Sequence, residues 1–308
     1  MNGFFDRFQL ESIKVGFDLS FPSSKRFEHL LVSVKEFGII TPLVLFEKDS
    51  TLFLLDGAAR LNIAKKLKIF ELPGIVLKDF SEKRLIHLWI HLNSSRGLSL
   101  IEKSKVVVTS LQFFSEKEVI KEVIPKLGHP PAEKWFFFFK ELSGLEKEVK
   151  VLLNEELLNP KLVSFLSSLR EEEQKIFIEL VKRLNLSFSE QLQVIEALID
   201  LKKRTGSKEL LPDVLREALK EEDFNKRRHQ FFTKLYELYY PNYYPKKLRV
   251  DEIRNYLMSK GIRAEVHPFF EKKEVTFIKS VKTLKDLDSF LNSLKEEKHK
   301  VKELLEVL

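Results

Sequence analysis

The chain has 308 residues, of which 44% are hydrophobic and 32% charged, a composition that supports two or three folded domains and excludes a disordered protein. It has no cysteine, no apolar run of membrane-spanning length and no secretory signal order at its start, so we expect a cytoplasmic protein without disulfides, thiolate metal sites or membrane contact. The net charge of +7 permits a polyanionic partner, although residues 101–206 carry 17 basic and 17 acidic residues and are neutral as a segment.

The first hundred residues alternate strand and helix signals. An apolar stripe that includes Leu30, Val34 and Phe37 and is closed by Gly38 predicts a helix. Strands that alternate with short helices indicate a small mixed unit, so we expect an α+β domain over residues 1–97. Its predicted strands are 8–15, 43–46, 51–55 and 72–77, and its predicted helices are 27–37 and 57–67.

From Ser81 onward the pattern is almost wholly helical. Three serine–glutamate pairs match the capping box, in which the serine oxygen accepts an amide and the glutamate reaches back to the serine amide. They are Ser99–Glu102, Ser115–Glu118 and Ser187–Glu190. We therefore expect an all-α domain over residues 98–206, preceded by a helix at 81–94. Its predicted helices are 99–113, 116–127, 131–142, 145–154, 160–168, 171–184 and 188–203.

The residues after Ser207 predict a long helix followed by a small α+β appendage over residues 207–308. The long helix is expected at 213–240 and ends at an aromatic turn with two prolines. A helix at 251–260, strands at 262–267 and 274–279 and a helix from Leu284 follow. A two-stranded ribbon is marginal alone, and pairing across a twofold axis would bury its edges. We expect a homodimer held by this region; the alternative is a monomer in which the ribbon packs on its own long helix.

A candidate phosphate site lies where a predicted strand meets a helix at Gly57. The free amides and the positive end of that helix point into one pocket, and Arg60 lies one turn further on. Asn93 and Arg96, three residues apart at a helix end, can meet the same anion. The alternative is that Arg60 pairs with Asp56 or Glu36 and that Arg96 caps a helix carboxyl end. We favour the anion pocket. No histidine pair has metal-ligand spacing, so no metal site is expected from histidine.

Four segments carry a resemblance to the ParB family over about 110 residues. They are SVKEFGIITPLV at 33–44, LLDGAARLNIA at 54–64, LPGIV at 72–76 and HLNSSRGLS at 91–99. Residues 120–128 and 130–145 resemble that family's helix-turn-helix, and 154–201 its remaining helical bundle. The resemblance implies a ParB/sulfiredoxin-like first domain and a duplex DNA partner. It also implies that Gly57, Arg60, Asn93 and Arg96 correspond to residues that hold the phosphates of CTP.

The box departs from ParB at its second and third residues. Ala58 and Ala59 stand where ParB proteins have glutamate and arginine, and the loss of one guanidinium group lowers affinity by about one to two decades. We therefore expect weakened or lost binding of CTP or another nucleotide with Mg²⁺. Asp56 resembles the Asp-Gly-His-His-Arg box of free-serine kinases with this fold, in which case it would hold Mg²⁺ or act as a general base. We favour a helix N-cap for Asp56.

The predicted recognition helix is rich in phenylalanine, from Trp135 to Phe139. Such a helix is expected to be buried between domains or against a protein partner rather than to read bases. Phosphate contacts are still expected from basic residues around it and from a basic cluster on the long helix. These candidate DNA-binding residues are Lys126, His129, Lys134, Lys140, Lys226, Arg227 and Arg228.

These observations predict a ParB-like DNA-binding protein that acts in chromosome or plasmid partition, nucleoid organisation or transcription control. A rival hypothesis is a nucleotide-dependent phosphotransferase or hydrolase, which would use Asp56 and the four phosphate-site residues. A second rival is a scaffold that binds a protein through its phenylalanine-rich helix.

Overall fold

The structure, a computed structural model, describes residues 2–78, 80–267, 270 and 272–308. The chain divides into two compact units, Met1–Glu196 and Ala197–Leu308. Among the described residues, none of the helices is both long and apolar enough to cross a membrane.

A five-stranded mixed sheet forms the first part of unit Met1–Glu196, in the order β1-β5-β3-β4-β2. β3 and β4 form an antiparallel hairpin, while β3 runs parallel to β5 and β2 parallel to β4. Asp49 and Ser50 both have positive φ, as a two-residue hairpin turn requires. The elements are β1 (Asn2–Gln9), β2 (Ile13–Val15), α1 (Ser24–Phe37), β3 (Leu43–Lys48), β4 (Thr51–Asp56), α2 (Ala58–Leu67), β5 (Glu71–Lys78) and α3 (Glu82–Ser94).

The strand expected at 8–15 is wrong as a single element. β1 ends at Gln9, a 3-10 turn over Leu10–Ser12 follows, and β2 has only three residues. The Leu10 amide still donates to Phe70 O at 2.7 Å, beyond the end of β1. The two pieces lie at opposite edges of the sheet. Apolar and polar residues alternate on both sides of the turn, and only the adjacent polar pair Glu11 and Ser12 interrupts the alternation, so periodicity gave a weak signal for a break.

One face of the sheet is covered by α2. Leu43, Leu45 and Leu54 form a buried cluster with Leu61 and Ala64 of that helix. Leu61 and Ala64 lie three residues apart, so the helix places both on one face. This packing fixes the position of the β4–α2 junction, where the candidate phosphate site lies.

The helical part of the first unit follows the predicted order. Its helices are α4 (Leu100–Ser110), α5 (Glu116–Glu118), α6 (Glu133–Ser143), α7 (Lys147–Asn154), α8 (Val163–Ser167) and α9 (Glu171–Leu184), and the next helix, α10 (Phe188–Thr205), spans the boundary between the two units. Both partners of the Ser99–Glu102 and Ser115–Glu118 capping boxes are in place. At the third, Glu190 accepts hydrogen bonds from the amide and the hydroxyl of Ser187.

The helix expected at 116–127 is irregular. After α5 it continues as a π-helical segment, Val119–Val123, and a 3-10 segment, Ile124–Leu127. Pro125 explains this change, because a proline inside a helix has no amide to donate and collides with the carbonyl one turn earlier. Gly128 then ends the segment in the left-handed conformation.

Within the described residues, α6 is buried on one face only, and its burial against a partner stays a prediction. Phe136, Phe139 and Leu142 form its buried face, and the Ser104 hydroxyl on α4 donates to Phe139 O at 2.6 Å. Phe137 is 51% exposed. The three buried residues recur every third position, so α6 is amphipathic, although four consecutive phenylalanines hide that pattern in the sequence.

Unit Ala197–Leu308 contains two differences from the sequence expectation. The helix expected at 213–240 is two helices, because the Asp223 carboxylate accepts from the Lys226 amide at 2.8 Å and starts a new one. The aromatic turn with two prolines lies partly in a helix, since Pro245 occupies a first turn, where its missing amide costs nothing. The elements are α11 (Asp213–Ala218), α12 (Phe224–Tyr239), α13 (Tyr243–Ser259), β6 (Arg263–Val266), β7 (Val275–Ile278), α14 (Leu284–Glu296) and α15 (Lys298–Val307).

The C-terminal appendage has a core of its own. β6 and β7 pair in antiparallel fashion, at the positions that the sequence predicts. Ile253 and Leu257 of α13 cluster with Ile262, Ala264 and Leu304. The two-stranded ribbon is therefore packed against helices within its own unit.

Candidate anion-binding cleft

The cleft forms where β4 ends and α2 begins. Gly57 lies between them with φ of +108°, a conformation that L side chains rarely adopt. A Cβ at Gly57 would also lie 2.5 Å from Leu43 Cδ2 and 3.0 Å from Arg60 Nη2. Both the backbone and the space therefore require glycine here.

A cleft of about 400 Å³ opens at this junction. The four residues predicted to hold phosphate, Gly57, Arg60, Asn93 and Arg96, all line it. They come from the start of α2 and from the end of α3 and the turn after it, elements that are far apart in the sequence. The other lining residues are Ser20, Arg26, Leu30, Thr41, Pro42, Val44, Asp56, Ala58, Ala59 and Leu92.

Asp56 is the centre of a hydrogen-bond network. Its Oδ2 accepts from Arg60 Nη2 at 3.0 Å and its Oδ1 accepts from Asn93 Nδ2 at 3.0 Å. Gly57 is the N-cap of α2 and no side chain caps that helix, so the expected N-cap role of Asp56 is wrong. Arg60 is paired with Asp56, as the alternative to the anion pocket had it. Because both carboxylate oxygens are engaged, a general-base role would require breaking this network.

Arg96 is held by a buried carboxylate that the sequence reasoning did not place in the cleft. Its Nη1 and Nη2 donate to the two oxygens of Glu102 at 2.8 and 2.7 Å, a bidentate pair. Glu102 is 2% exposed in its side chain and also accepts from the amides of Ser99 and Phe21. The capping-box pattern identified Glu102 as a helix residue, but only the fold brings it to Arg96.

Arg96 also links the two halves of the network. Its Nε donates to Asn93 Oδ1 at 2.6 Å, and Asn93 in turn donates to Asp56. Burial lowers the pKa of Arg60, and the Asp56 carboxylate opposes that change. The charges of Arg60 and Arg96 are therefore balanced by the carboxylates of Asp56 and Glu102.

Arg26 on α1 is a cleft residue that sequence reasoning missed. Burial lowers its pKa, and the positive charge of Arg96 lowers it further, while Glu102 and Asp56 raise it. Nothing in the pattern of α1 marks this residue, because it stands among other polar residues at the start of a helix. Only the fold of α1 against the junction places it beside the network.

The predicted DNA-binding residues of the helix pair differ in their surroundings. His129 Nε2 lies 3.1 Å from Lys103 Nζ, and its ring centroid lies 4.1 Å from that of Trp135. Lys140 Nζ lies 3.6 Å from Glu116. Lys126, Lys134 and Lys140 are exposed, and Lys134 lies over the Trp135 ring. Three lysines of this set therefore face solvent, whereas His129 is packed in the turn.

The basic cluster of α12 is partly engaged with its own helix. Arg227 Nη1 donates to the carbonyls of Glu221 and Glu222 at 2.9 and 3.0 Å. Arg228 lies over the Phe232 ring at 5.2 Å. Lys226 is exposed. Two of the three charges thus have contacts that stabilise the start of α12.

No family model and no curated protein matches this chain. Among solved structures, it is similar to C-terminally truncated chromosome-partitioning protein ParB from Caulobacter crescentus complexed with CTP-γ-S, with 16% identity over 58% of this chain and 97% of that one and a TM-score of 0.28. The same protein complexed to the centromeric parS site is 14% identical, the match covers 62% of this chain and 98% of that one, and the TM-score is 0.33. A Pnob8-like ParB-N domain is 16% identical, the match covers 77% of this chain and 98% of that one, and the TM-score is 0.37. At these values the likeness assigns neither a family nor a function to this chain.

Proposed function

We propose that this chain is a ParB-like DNA-binding protein that acts on duplex DNA in chromosome or plasmid partition, nucleoid organisation or transcription control. The observation that carries the proposal is the order of parts within unit Met1–Glu196. A cleft at a strand–Gly57–helix junction is followed by a helix pair at the positions where the ParB resemblance puts a helix-turn-helix.

The geometry of the helix pair supports contacts to the DNA backbone. The first helix ends at Gly128 and α6 begins at Glu133, while Phe136 and Phe139 anchor α6 in the core. The side chains left on its exposed side are lysine, glutamate and phenylalanine rather than the arginine, asparagine or glutamine that read bases. We therefore propose electrostatic binding with little sequence preference.

Fluorescence anisotropy with a mixed-sequence duplex, titrated over a range of salt concentrations, tests this proposal. We expect affinity to fall steeply with salt, with a log–log slope of about −3 to −6. Replacing Lys126 and Lys134 together with alanine should make the slope shallower by about two, since each phosphate contact contributes about 0.9. The matched control is Lys65→Ala with Lys66→Ala, two exposed lysines of α2. Absence of binding at about 50 mM salt would refute the proposal.

We also propose that the cleft binds nucleotide triphosphates weakly. Ala58 and Ala59 offer no side-chain donor, and Arg60 and Arg96 are paired with carboxylates within the chain. A triphosphate, with Mg²⁺ or without, would have to compete with both pairs for these arginines.

A homodimer through unit Ala197–Leu308 is the third part of the proposal. Leu284, Leu287 and Leu291 lie on α14 at spacings of three and four, and all three are exposed, Leu284 by 80%. A solvent-facing leucine stripe of this kind is typical of an association surface. Phe137 of α6 offers a separate exposed apolar residue for a protein partner.

A further inference from the structure

We propose that Arg26 is the ligand-binding cation of the cleft and that it restricts the cleft to molecules recognised through one anionic group, such as a phosphate monoester. The inference deepens the proposed function, because it rests on the same cleft. It names a residue that neither the ParB resemblance nor the spacing of the motif singles out.

The other two arginines of the cleft, Arg60 and Arg96, are already paired with carboxylates. Arg60 is tied to Asp56 and Thr41 O, at 3.0 and 3.2 Å. Arg96 makes its bidentate pair with Glu102. A ligand that took either guanidinium would remove the charged partner of Asp56, which is 22% exposed, or of Glu102, which is 2% exposed, and breaking such a pair is unfavourable.

Arg26 is different. Within the part of the chain that the structure describes, its guanidinium makes no hydrogen bond and no ion pair; only its amide is used, in the Ser23 cap of α1. It lines the same cleft as Arg60 and Arg96 and is an exposed residue, and burial, followed by the positive charge of Arg96, lowers its pKa. An anion bound at Arg26 would relieve this repulsion without breaking a contact.

The charge balance gives the ligand class. Arg26, Arg60 and Arg96 bring three positive charges, and Asp56 and Glu102 bring two negative ones. One net positive charge remains, on Arg26. A volume of about 400 Å³ lies in the range of small-molecule sites, so charge rather than size limits what binds.

Calorimetry of the full chain with inorganic phosphate, CMP, CDP and CTP tests the inference. We expect the affinities for CMP, CDP and CTP to lie within about threefold of one another. The second and third phosphates would meet only arginines that are already paired with Asp56 and Glu102. In Arg26→Ala, binding of each should weaken by about tenfold or more. The matched control is Lys25→Ala, which removes the same charge from the adjacent exposed position of α1 and should bind as the parent does.

Three results would overturn the inference. They are CTP binding more than about tenfold tighter than CMP, unchanged binding in Arg26→Ala, and no binding of any of the four anions. Thermal unfolding of Arg26→Ala should match the parent, since the side chain makes no hydrogen bond or ion pair within the described residues. The DNA titration on the same proteins separates the two proposals. DNA binding without anion binding removes only this inference, and Arg26-dependent anion binding without DNA binding removes only the proposed function.

Discussion

Gly57 combines two separate demands, a positive φ and a lack of space for a Cβ. We expect Gly57→Ala to lower the free energy of unfolding by about 2–4 kcal/mol, from backbone strain and overpacking against Leu43. Gly128→Ala is the matched control, because Gly128 also has positive φ but a Cβ there would meet nothing within 4 Å. It should cost only about 1 kcal/mol. Urea unfolding of both variants measures the difference, and equal losses would show that space at Gly57 is not limiting.

His129 gives the fold a dependence on pH. Burial and then Lys103 lower its pKa in the folded chain, so the unfolded chain binds more protons. The contribution of neutral His129 to the free energy of unfolding is thus fully present above the pKa of about 6.5 in the unfolded chain. It falls as the pH drops below that value. We expect His129→Gln to show a smaller difference in free energy of unfolding between about pH 8 and pH 5 than the parent does.

Urea unfolding at the two pH values measures that difference. His29→Gln, at an exposed position of α1, is the control and should keep the difference seen in the parent. A parent-like difference in His129→Gln would contradict the prediction, since the acid sensitivity would then come from other groups.

At the scale of elements, Asp223 decides where α12 begins. Its carboxylate caps the helix through the Lys226 amide, so Asp223→Ala should lower the free energy of unfolding by about 1 kcal/mol. Asp223→Ser, which keeps an acceptor, should retain most of that energy. Asp288→Ala, an exposed aspartate inside α14, is the control for loss of charge. A loss in Asp288→Ala equal to that in Asp223→Ala would argue against the cap.

The break before α12 also shows what the sequence could not predict. Leu215, Leu219 and Phe224 recur at intervals of four and five, and no glycine or proline lies between them, so the sequence does not mark a break. The strands from β3 onward and most helices were predicted within a few residues, because their apolar patterns and capping boxes are local, whereas residues 2–7 of β1 were not predicted as strand. The split between β1 and β2 was missed for a similar reason, since apolar residues recur on both sides of the point where the first strand ends.

The cleft was predictable only in its local parts. Gly57 and Arg60 lie in one motif and Asn93 and Arg96 in another, and a strand–glycine–helix junction gives a physical reason to join them. Arg26 and Glu102 reach the same place through tertiary packing, which spacing along the chain does not encode. The charge balance of the site therefore follows from the fold rather than from its motifs.

At the scale of the whole molecule, the leucine stripe on α14 predicts a concentration-dependent homodimer. We expect light scattering at tens of micromolar to give twice the mass of one chain. Leu287→Glu with Leu291→Glu should shift the protein to monomers, because burying two carboxylates in an interface is strongly unfavourable. The control is Val32→Glu, an exposed apolar position on α1, which should leave the mass unchanged. A parent protein that remains a monomer would refute the dimer.

The placement of β1 and β2 at opposite edges of the sheet sets the order in which the first unit can fold during synthesis. Among the described residues β1 pairs with β5 and with no other strand, so the register that joins Asn2 to Lys78 forms only after Lys78 has been synthesised. The β3–β4 hairpin needs only its own short stretch of chain, and local pairings form fastest. The hairpin and α2 can therefore assemble the Gly57 junction while the amino-terminal strand is still unpaired, and β1 closes the sheet last.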